Sequence, residues 1–472
     1  MSSVPTGWAS DRLKDVARIN AIALSAGTDP DYEFDYLEIS NVDYHGIVDP
    51  NAIERLHFED APSRARRRVA AGSTVISSVR PNLQAVAFLP DAPAHFVCST
   101  GFNVVEPQPS RLAPQFAYYH LISENARQYF EAAATGVGYP AVGDKEFNAI
   151  AVPLPSLPEQ QRIAAYLDAS CAAIDAAVAA KRRQLETLDA LRKSIIHSFF
   201  SNQSDASNER VKDVAARITS GVTPEGGASG YLDSGIPLLR SQNVHFDGLR
   251  LDDVAFISAE THAGMSGSQV KSRDVLLNIT GASIGRCTFV PDGFGEGNVN
   301  QHVCIIRPGP RVDHRFLAAF LSSPMGQDQI LSTFTGASRQ GLSHSDLGLI
   351  RIPFPKLHVQ QEVVVKIEQH DGQHDQLHRC IESQIATLTA YRKSLIHECV
   401  TGQRRITEAD VVRSQLLENT GYLKLEPSEK NGRFKTNRVN DRQCYADLGN
   451  APKGGGQFDP LLALKSATRR RD

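Results

Sequence analysis

Cysteine, methionine and tryptophan are scarce in this chain of 472 residues, which contains 7, 3 and 1 of them. The cysteines are scattered and form no Cys-x-x-Cys pair. That spacing argues against a zinc ribbon or a disulfide framework and fits a reducing compartment. No apolar run reaches the roughly 18 residues of a membrane span, and the N-terminus has no apolar stretch typical of a secretory signal. The sequence therefore predicts a cytoplasmic protein that does not enter a membrane.

The sequence also lacks the short motifs of the common enzyme classes. It contains no Gly-x4-Gly-Lys-Ser/Thr, no His-Glu-x-x-His and no Gly-x-Ser-x-Gly. It has no Asn/Asp-Pro-Pro-aromatic motif, so it does not look like an adenine methyltransferase. The net charge of −3 is not that of a uniformly basic nucleic-acid binder. A binding protein without catalytic, metal or cofactor residues of its own is favoured, and any contact with DNA must come from local basic patches or from a partner.

One long stretch of the sequence occurs twice. PLPSLPEQQ at 153–161 matches PFPKLHVQQ at 353–361, and RKSIIH at 192–197 matches RKSLIH at 392–397. The openings DRLKDVARIN, from Asp11, and ERVKDVAARIT, from Glu209, match as well. A repeat of this length indicates that globular and helical parts were duplicated together.

Each copy predicts a very long helix. No Pro or Gly occurs between Glu159 and Phe200, and apolar residues recur at heptad-like spacing in both copies. About 40 residues would give a helix of about 60 Å. Heptad-like spacing gives a narrow apolar stripe along each helix. Such a stripe on so long a helix predicts an antiparallel coiled coil between the two copies around a pseudo-twofold axis. Two separate amphipathic helices, each packed on its own domain, are the alternative.

Two features of the second helix interrupt this pattern. Gly372 lies inside it and costs about 1 kcal/mol relative to alanine. His370, His374 and His378 recur on one face at a spacing that could bind a metal. No carboxylate or cysteine is placed to complete such a site, so a polar seam is the preferred interpretation.

The globular parts predict a mixed α+β fold in both copies. Short β-rich runs predict the strands 36–39, 74–77, 85–88 and 102–105 in the first copy and 237–240, 274–280, 286–290 and 302–307 in the second. One helix is expected at 114–133 and its counterpart at 314–331. Each part ends in a loop that leads into a long helix.

Basic residues near these strands are the candidate DNA contacts. Arg64, Arg66, Arg67 and Arg68 precede a β-rich segment, and Lys271 with Arg273 occupies the equivalent place in the second copy. Such residues are typical of phosphate contacts. A solvated surface run is the alternative.

Glycine-rich loops supply the remaining candidates. The loop 135–143 is followed by Lys145, the loop 335–341 contains Arg339, and the loop 278–286 ends in Arg286. Small residues allow close approach of the backbone to a ligand, and a cation beside them suits a phosphate or a guanine edge. A plain hairpin turn explains 278–286 equally well. Arg80 completes the predicted set.

The layout resembles the specificity subunit of type I restriction-modification systems. The residues 157–161 and 357–361 look like the starts of that family's two conserved helices, and 192–196 and 392–396 look like their ends. Residues 33–42 and 237–244 resemble the opening strands of its two recognition domains. The likeness covers about residues 8–405. His358 replaces an expected proline, and the tail after Arg405 is longer than the family pattern.

The resemblance implies a division into target-recognition domain 1 (1–152), spacer helix 1 (153–203), target-recognition domain 2 (204–352), spacer helix 2 (353–403) and a flexible basic extension (404–472). Each recognition domain would read half of a split double-stranded DNA site, and the helix pair would set the gap. Two methyltransferase subunits would bring S-adenosylmethionine, and motor-nuclease subunits would bring ATP and Mg chemistry. A duplicated coiled-coil scaffold that binds only proteins is the alternative.

Overall fold

The computed structural model describes residues 5–420 except 44–45, 80–84, 137–139, 203–205, 225, 334–340 and the side chains of 417–420. The chain divides into two compact units. Unit 1 takes its described residues from 1–183 and 382–438, and unit 2 takes them from 184–381. Arg80, Arg339 and the chain from 421 to 472 therefore lie outside the described residues.

Unit 1 is built around two four-stranded sheets. Its strands are β1 (Ala9–Arg12), β2 (Ala17–Ile19), β3 (Glu33–Leu37), β4 (Glu54–His57), β5 (Ala65–Arg68), β6 (Ser73–Ser77), β7 (Val86–Leu89), β8 (Phe96–Ser99), β9 (Phe102–Pro107) and β10 (Ala151–Leu154). Its first helices are α1 (Leu13–Val16), α2 (Pro114–Leu121), α3 (Glu124–Ala133), α4 (Asp144–Ala149) and α5 (Leu157–Ser201), of which α5 continues into unit 2. One sheet has the order β2-β9-β6-β7 and the other β4-β3-β8-β5, while β1 pairs with β10. Only β3 and β8 run parallel among these pairs.

Unit 2 repeats this arrangement with small additions. Its strands are β11 (Ser207–Arg210), β12 (Ala215–Ser220), β13 (Ile236–Leu239), β14 (Val244–His245), β15 (Gly248–Leu249), β16 (Ala255–Ile257), β17 (Val275–Asn278), β18 (Cys287–Phe289), β19 (Asn298–Val299), β20 (Val303–Pro308) and β21 (Arg351–Phe354). The next helices are α6 (Val211–Val214), α7 (Ala259–Gly264), α8 (His314–Ser322), α9 (Pro324–Ser332), α10 (His344–Leu349) and α11 (Leu357–Val400), and α12 (Glu408–Thr420) follows in unit 1. The sheets have the orders β12-β20-β17-β18 and β16-β13-β19, and β11 pairs with β21.

The α+β prediction is confirmed, and each of the eight strands predicted from the sequence overlaps an observed strand. The two medium helices were wrongly predicted as continuous. Each is broken into two, α2 and α3 in one unit and α8 and α9 in the other. The Ser123 and Ser323 side chains accept from the N–H of Ala126 and Gly326 and start a new helix, and Pro324 cannot continue the preceding one.

The two long helices pack antiparallel, as predicted. In unit 1 the start of α5 meets the end of α11, and Arg392 pairs with Asp175 at 3.0 Å. In unit 2 the end of α5 meets the start of α11, and Arg192 pairs with Asp371 at 2.7 Å. Helices α5 and α11 have 45 and 44 residues, close to the expected length. The alternative of two separately packed helices is therefore excluded.

Each half of the helix pair belongs to the core of a unit. Ile163, Leu167 and Ile174 of α5 pack with α11 residues such as Leu395 in the core of unit 1. Ile196 and Phe200 do the same in unit 2. Helix α5 is long and apolar enough, by length and composition alone, to cross a bilayer. Core contacts account for part of that composition, since 33% of the apolar window is buried.

The histidine face of α11 forms part of a polar seam in unit 2. His374 Nε2 lies 2.9 Å from Asp189 Oδ1, and His374 Nδ1 lies 3.2 Å from Asp375 Oδ1. His370 packs on Phe199, with 5.5 Å between ring centres. Within the described chain, no group of three or more His, Cys, Asp or Glu side chains could hold a metal ion. The contacts favour the polar-seam interpretation.

Helix α12 was not predicted from the sequence. Thr407 caps it through Oγ1 and Asp410, and the Arg162 guanidinium donates to Ile406 O at 3.0 Å. Ile406 is buried in the core of unit 1. The proposed extension from residue 404 thus begins with an ordered, docked segment.

Candidate nucleic-acid interface

Three loops of unit 2 converge at one edge of its sheets, which we call the loop edge of unit 2. They are Arg240–Asn243 after β13, Ile279–Arg286 after β17 and Asn300–His302 before β20. Backbone N–H groups of Asn300 and Ile279 donate to Leu239 O at 3.0 Å and His302 O at 3.0 Å. The loops therefore form one surface although they lie far apart in the sequence.

A chain of hydrogen bonds crosses this edge. Thr223 Oγ1 donates to Gln301 Oε1 at 2.5 Å, and Gln301 Nε2 lies 2.9 Å from His302 Nε2. His302 Nδ1 in turn lies 2.5 Å from Thr280 Oγ1. Gln301 and Thr223 are exposed and His302 is half-buried. Polar side chains held in place at an exposed edge are suited to contact base edges.

Glycine lets the backbone approach closely at this edge. A Cβ on Gly221 would lie 1.8 Å from Val299 O, so only glycine allows β12 to end against the loop that carries Gln301. The loop 278–286 contains Gly281 and Gly285 at φ 73° and 86° and joins β17 to its neighbour β18. It is therefore a hairpin connection, one of the two interpretations of this segment, and it also lies on the loop edge.

Unit 1 has a corresponding loop edge. It consists of Glu38–Asn41 after β3, Arg64 before β5, Ser78–Val79 after β6 and Thr100–Gly101 between β8 and β9. Thr100 N donates to Arg64 O at 2.8 Å and Val142 N donates to Ser78 O at 3.0 Å. The loop edge of unit 1 has the same position in the strand order as the loop edge of unit 2, because β3, β6 and β8 correspond to β13, β17 and β19.

Arg64 is the predicted candidate that lies on the loop edge of unit 1. Its guanidinium forms an ion pair with Glu38 and donates to the Tyr36 hydroxyl at 3.4 Å. The Tyr36 hydrogen bond and then the Glu38 charge raise the pKa of Arg64 above its ordinary value. The side chain is 55% exposed, which leaves part of it accessible to a ligand.

The rest of the arginine run is held by its own unit. Arg66 stacks over the Phe58 ring at 4.4 Å, and Arg68 donates to Ala94 O at 3.0 Å. Arg67 turns inward and donates to Phe102 O and to Asn103 Oδ1, and burial lowers its pKa. The run is therefore neither a uniform solvated face nor four equivalent free cations.

Lys271 and Arg273 lie at the opposite end of β17 from the loop edge. They line a groove of about 800 Å³ with Arg307, His314 and the start of α11. Arg273 pairs with Asp292 at 2.9 Å, and Arg307 pairs with the buried Asp274 at 2.7 Å. Burial lowers the pKa of His314, which packs edge-on against Phe289. The groove is thus polar and has charges of both signs.

The two other described candidates lie near or on the loop edges. Lys145 is exposed on the first turn of α4, next to the Val142 contact with Ser78. Arg286 is half-buried and directly precedes β18. The candidate cations that the structure describes are therefore not gathered onto one face in each unit.

Four polar side chains on the loop edge of unit 2 were not singled out in the sequence analysis. Gln242, Thr280, Gln301 and His302 all lie on the loop edge, although none was a candidate. Each lies at an end of a predicted strand or within two residues of it. That position, rather than charge, was the signal available in the sequence.

The fold and the loop edges define a duplicated recognition protein, in which two α+β units carry different polar edges on a shared helix pair. The family described as "Type I restriction modification DNA specificity domain" matches residues 5–187 and 265–387. The chain belongs to this family. It is a non-catalytic specificity subunit, which directs target recognition for a type I restriction-modification complex.

Named relatives agree with this membership. The type I restriction enzyme EcoBI specificity subunit of Escherichia coli is 22% identical over 325 residues, which cover 63% of this chain and 67% of that protein. The putative MjaX specificity subunit of Methanocaldococcus jannaschii is 19% identical over 400 residues, which cover 79% of this chain and 88% of that protein. The protein-only scaffold alternative is therefore set aside.

Solved structures share the fold. A chain from a study of complex assembly and conformational transition of the type I R-M system has a TM-score of 0.74 at 22% identity, and covers 86% of this chain and 100% of its own length. The HsdS subunit from Thermoanaerobacter tengcongensis has a TM-score of 0.54 at 22% identity, and covers 85% of this chain and 98% of its own length. The resemblance inferred from the repeated helix motif is thus confirmed.

Proposed function

We propose that each unit reads one half of a bipartite double-stranded DNA target through its loop edge. The observation that carries this proposal is the pair of loop edges, which occupy the same place in the strand order but present different side chains. A shared framework would bring both edges to DNA in the same way, and the different side chains would select different bases.

The long helices would set the gap between the two half-sites. At 1.5 Å per residue, 45 residues give a helix of about 67 Å. B-DNA repeats about every 34 Å, so a spacer of this length suits half-sites separated by several base pairs. Continuous helices are stiff, which is what a fixed gap requires.

The chemistry would belong to partner subunits. Two methyltransferase subunits carrying S-adenosylmethionine would modify adenine, and motor-nuclease subunits using ATP and Mg would cleave unmodified DNA. Burial raises the pKa of the Cys98 and Cys287 thiols to about 12. Unreactive thiols of this kind suit the cytoplasm, where the complex would act.

The test is a methylome. The chain is co-expressed with its candidate modification subunit, and methylated adenines are mapped across the host genome by single-molecule sequencing. The expected result is a split motif with two short specified blocks around a fixed unspecified gap. An intact complex that binds S-adenosylmethionine but adds no methylation, or that methylates a continuous motif, would contradict the proposal.

Shortening the helices tests the spacer. Removing residues 181–187 from α5 and 377–383 from α11 keeps the heptad register and shortens the pair by about 10 Å. The gap in the methylated motif should shrink by about three base pairs at about 3.4 Å each, while both specified blocks stay the same. Removing 181–187 alone is the control, because it leaves α5 one heptad shorter than α11 and should abolish methylation.

A further inference from the structure

Gln301 is held by its neighbours in an unusual way for an exposed side chain. Thr223, from the segment after β12, contacts its Oε1 atom, and His302 contacts its Nε2 atom. His302 is fixed in turn by Thr280, from the loop between β17 and β18. Three loops therefore cooperate to orient one amide that faces solvent.

These contacts leave a defined part of the amide unused. If the amide donates from Nε2 to His302 and accepts from Thr223, one N–H and one lone pair on Oε1 have no further partner among the described residues. The reversed amide, with the other histidine tautomer, leaves the same two groups. In either orientation Gln301 keeps one donor and one acceptor for a ligand.

One donor beside one acceptor matches a single base edge in the major groove. Adenine offers the acceptor N7 and the donor N6 at the spacing of a glutamine amide, whereas guanine offers two acceptors and cytosine offers a donor. We infer that Gln301 reads an adenine in the half-site recognised by unit 2, and that Thr223, His302 and Thr280 are positioning residues for it. This inference rests on the proposed function.

The amides of Gln242 and Asn243, in the first loop of this edge, bond within residues 240–253. Gln242 Nε2 donates to Asp253 Oδ2 at 2.6 Å. Asn243 is buried, donates to Arg250 O at 2.9 Å and accepts from Arg240 N at 2.9 Å. Because its neighbours hold the Gln301 amide in place before DNA binds, the entropy cost of forming the base contact is lower. Gln301 is therefore the side chain of this edge best prepared to select a base.

Methylome and rate measurements on the assembled complex test the inference. Gln301→Ala should lower selectivity for adenine over the other bases at one position of one block by about 5- to 150-fold, the range of a bidentate contact. Gln301→Glu keeps the shape of the side chain but has only hydrogen-bond acceptors. The base preference at that position should therefore shift toward cytosine, which offers a donor. Thr223→Val should relax the same position without changing which base is preferred. Gln128→Ala, which removes an exposed glutamine from α3, should leave the motif unchanged.

The outcomes separate this inference from the proposed function. A wild-type complex with a bipartite motif, whose motif and rates are unchanged by Gln301→Ala and Gln301→Glu, would overturn the adenine assignment and leave the proposed function standing. Loss of selectivity spread over both blocks would also overturn it, since that indicates a structural role. A wild-type complex without a bipartite motif would overturn both.

Discussion

Units 1 and 2 agree where they meet the long helices and differ where they face a ligand. Gln160 is buried at the start of α5 and binds Ala113 N at 2.8 Å, Arg111 O at 3.0 Å and Pro155 O at 2.9 Å. Gln360 makes the same three contacts in unit 2, with Asp313 N at 2.9 Å, Arg311 O at 3.1 Å and Pro355 O at 2.8 Å. The repeated Gln-Gln motif thus has a structural reason, because its first glutamine ties each unit to its helix.

The loop edges have diverged at corresponding positions. Glu38 and Arg240 follow the matching strands β3 and β13, and Thr100 and Gln301 precede the matching strands β9 and β20. One edge therefore offers a carboxylate paired with Arg64, and the other offers an oriented amide. A duplicated frame with different edges is what a protein needs to read two different half-sites at a fixed spacing.

The largest expected difference between the units is the loss of stability when Asp274 is replaced. Its carboxylate is 1% exposed and binds the Arg307 guanidinium at 2.7 Å and 2.8 Å. Asp274→Ala would leave that half-buried cation unpaired and should destabilise unit 2 by about 3–5 kcal/mol. Hydrogen exchange of β17 and β20 measures the loss.

Ser73 occupies the matching place in unit 1 and supplies the control. Its Oγ is buried and has no hydrogen-bond partner in the part of the chain that the structure describes. Ser73→Ala should therefore be neutral or slightly stabilising. Equal losses of stability for Asp274→Ala and Ser73→Ala would show that the ion pair of Asp274 with Arg307 adds no stability specific to unit 2.

The next difference is in the response to acid. His120 is buried in α2, and burial lowers its pKa to about 4, whereas Phe320 fills the matching place in α8. The unfolded chain binds a proton below about pH 6.5 that folded His120 binds only below about pH 4. The stability that unit 1 gains from neutral His120 should thus be fully present above about pH 6.5. The free energy of unfolding of unit 1 should fall by about 3 kcal/mol as the pH drops from 7 to 4.

Reciprocal substitutions check this difference. His120→Phe should remove that part of the pH dependence in urea denaturation, and Phe320→His should introduce one in unit 2. A pH profile of His120→Phe identical to the wild type would contradict the assignment.

A smaller effect, equal in the two units, is expected at the shared glutamines. Gln160→Ala and Gln360→Ala each leave a buried N–H and two carbonyl groups unsatisfied, and should cost about 2–3 kcal/mol in thermal unfolding. Gln161→Ala changes the exposed neighbour in the same motif and should cost less than about 0.5 kcal/mol. A cost confined to one unit would mean that the two tethers are not equivalent.

The smallest expected effects separate base contacts from phosphate contacts. Arg64→Ala should cost about 1–3 kcal/mol of binding at one position of the target, because Arg64 lies on a loop edge. Arg273→Ala, in the groove at the far end of β17, should weaken binding to all sequences alike if that groove meets phosphate. Binding by the assembled complex to single-base variants of the target, measured at two salt concentrations, distinguishes them. A position-specific effect of Arg273→Ala would reverse the two roles.

Much of the fold could be predicted because its signals are local or repeated. The eight strands, the two long helices and their antiparallel pairing follow from β-rich runs, an unbroken heptad pattern and the repeat of RKSIIH as RKSLIH. The breaks before α3 and α9 were missed because Ser123 and Ser323 act as caps only when the chain turns there. Charge alone did not predict where these side chains lie, since Arg67 points inward and Arg273 precedes β17, at the end away from the loop edge.

The sequence by itself determined the duplication, the element order and the helix pair, because a repeat and a heptad pattern are visible without knowing which residues meet. Only the tertiary structure decided which side chains share a surface. Thr223 and Gln301 are 78 positions apart and meet because β12 and β20 are paired in one sheet. Such proximity comes from strand pairing across long distances, and no local pattern around Gln301 could reveal it.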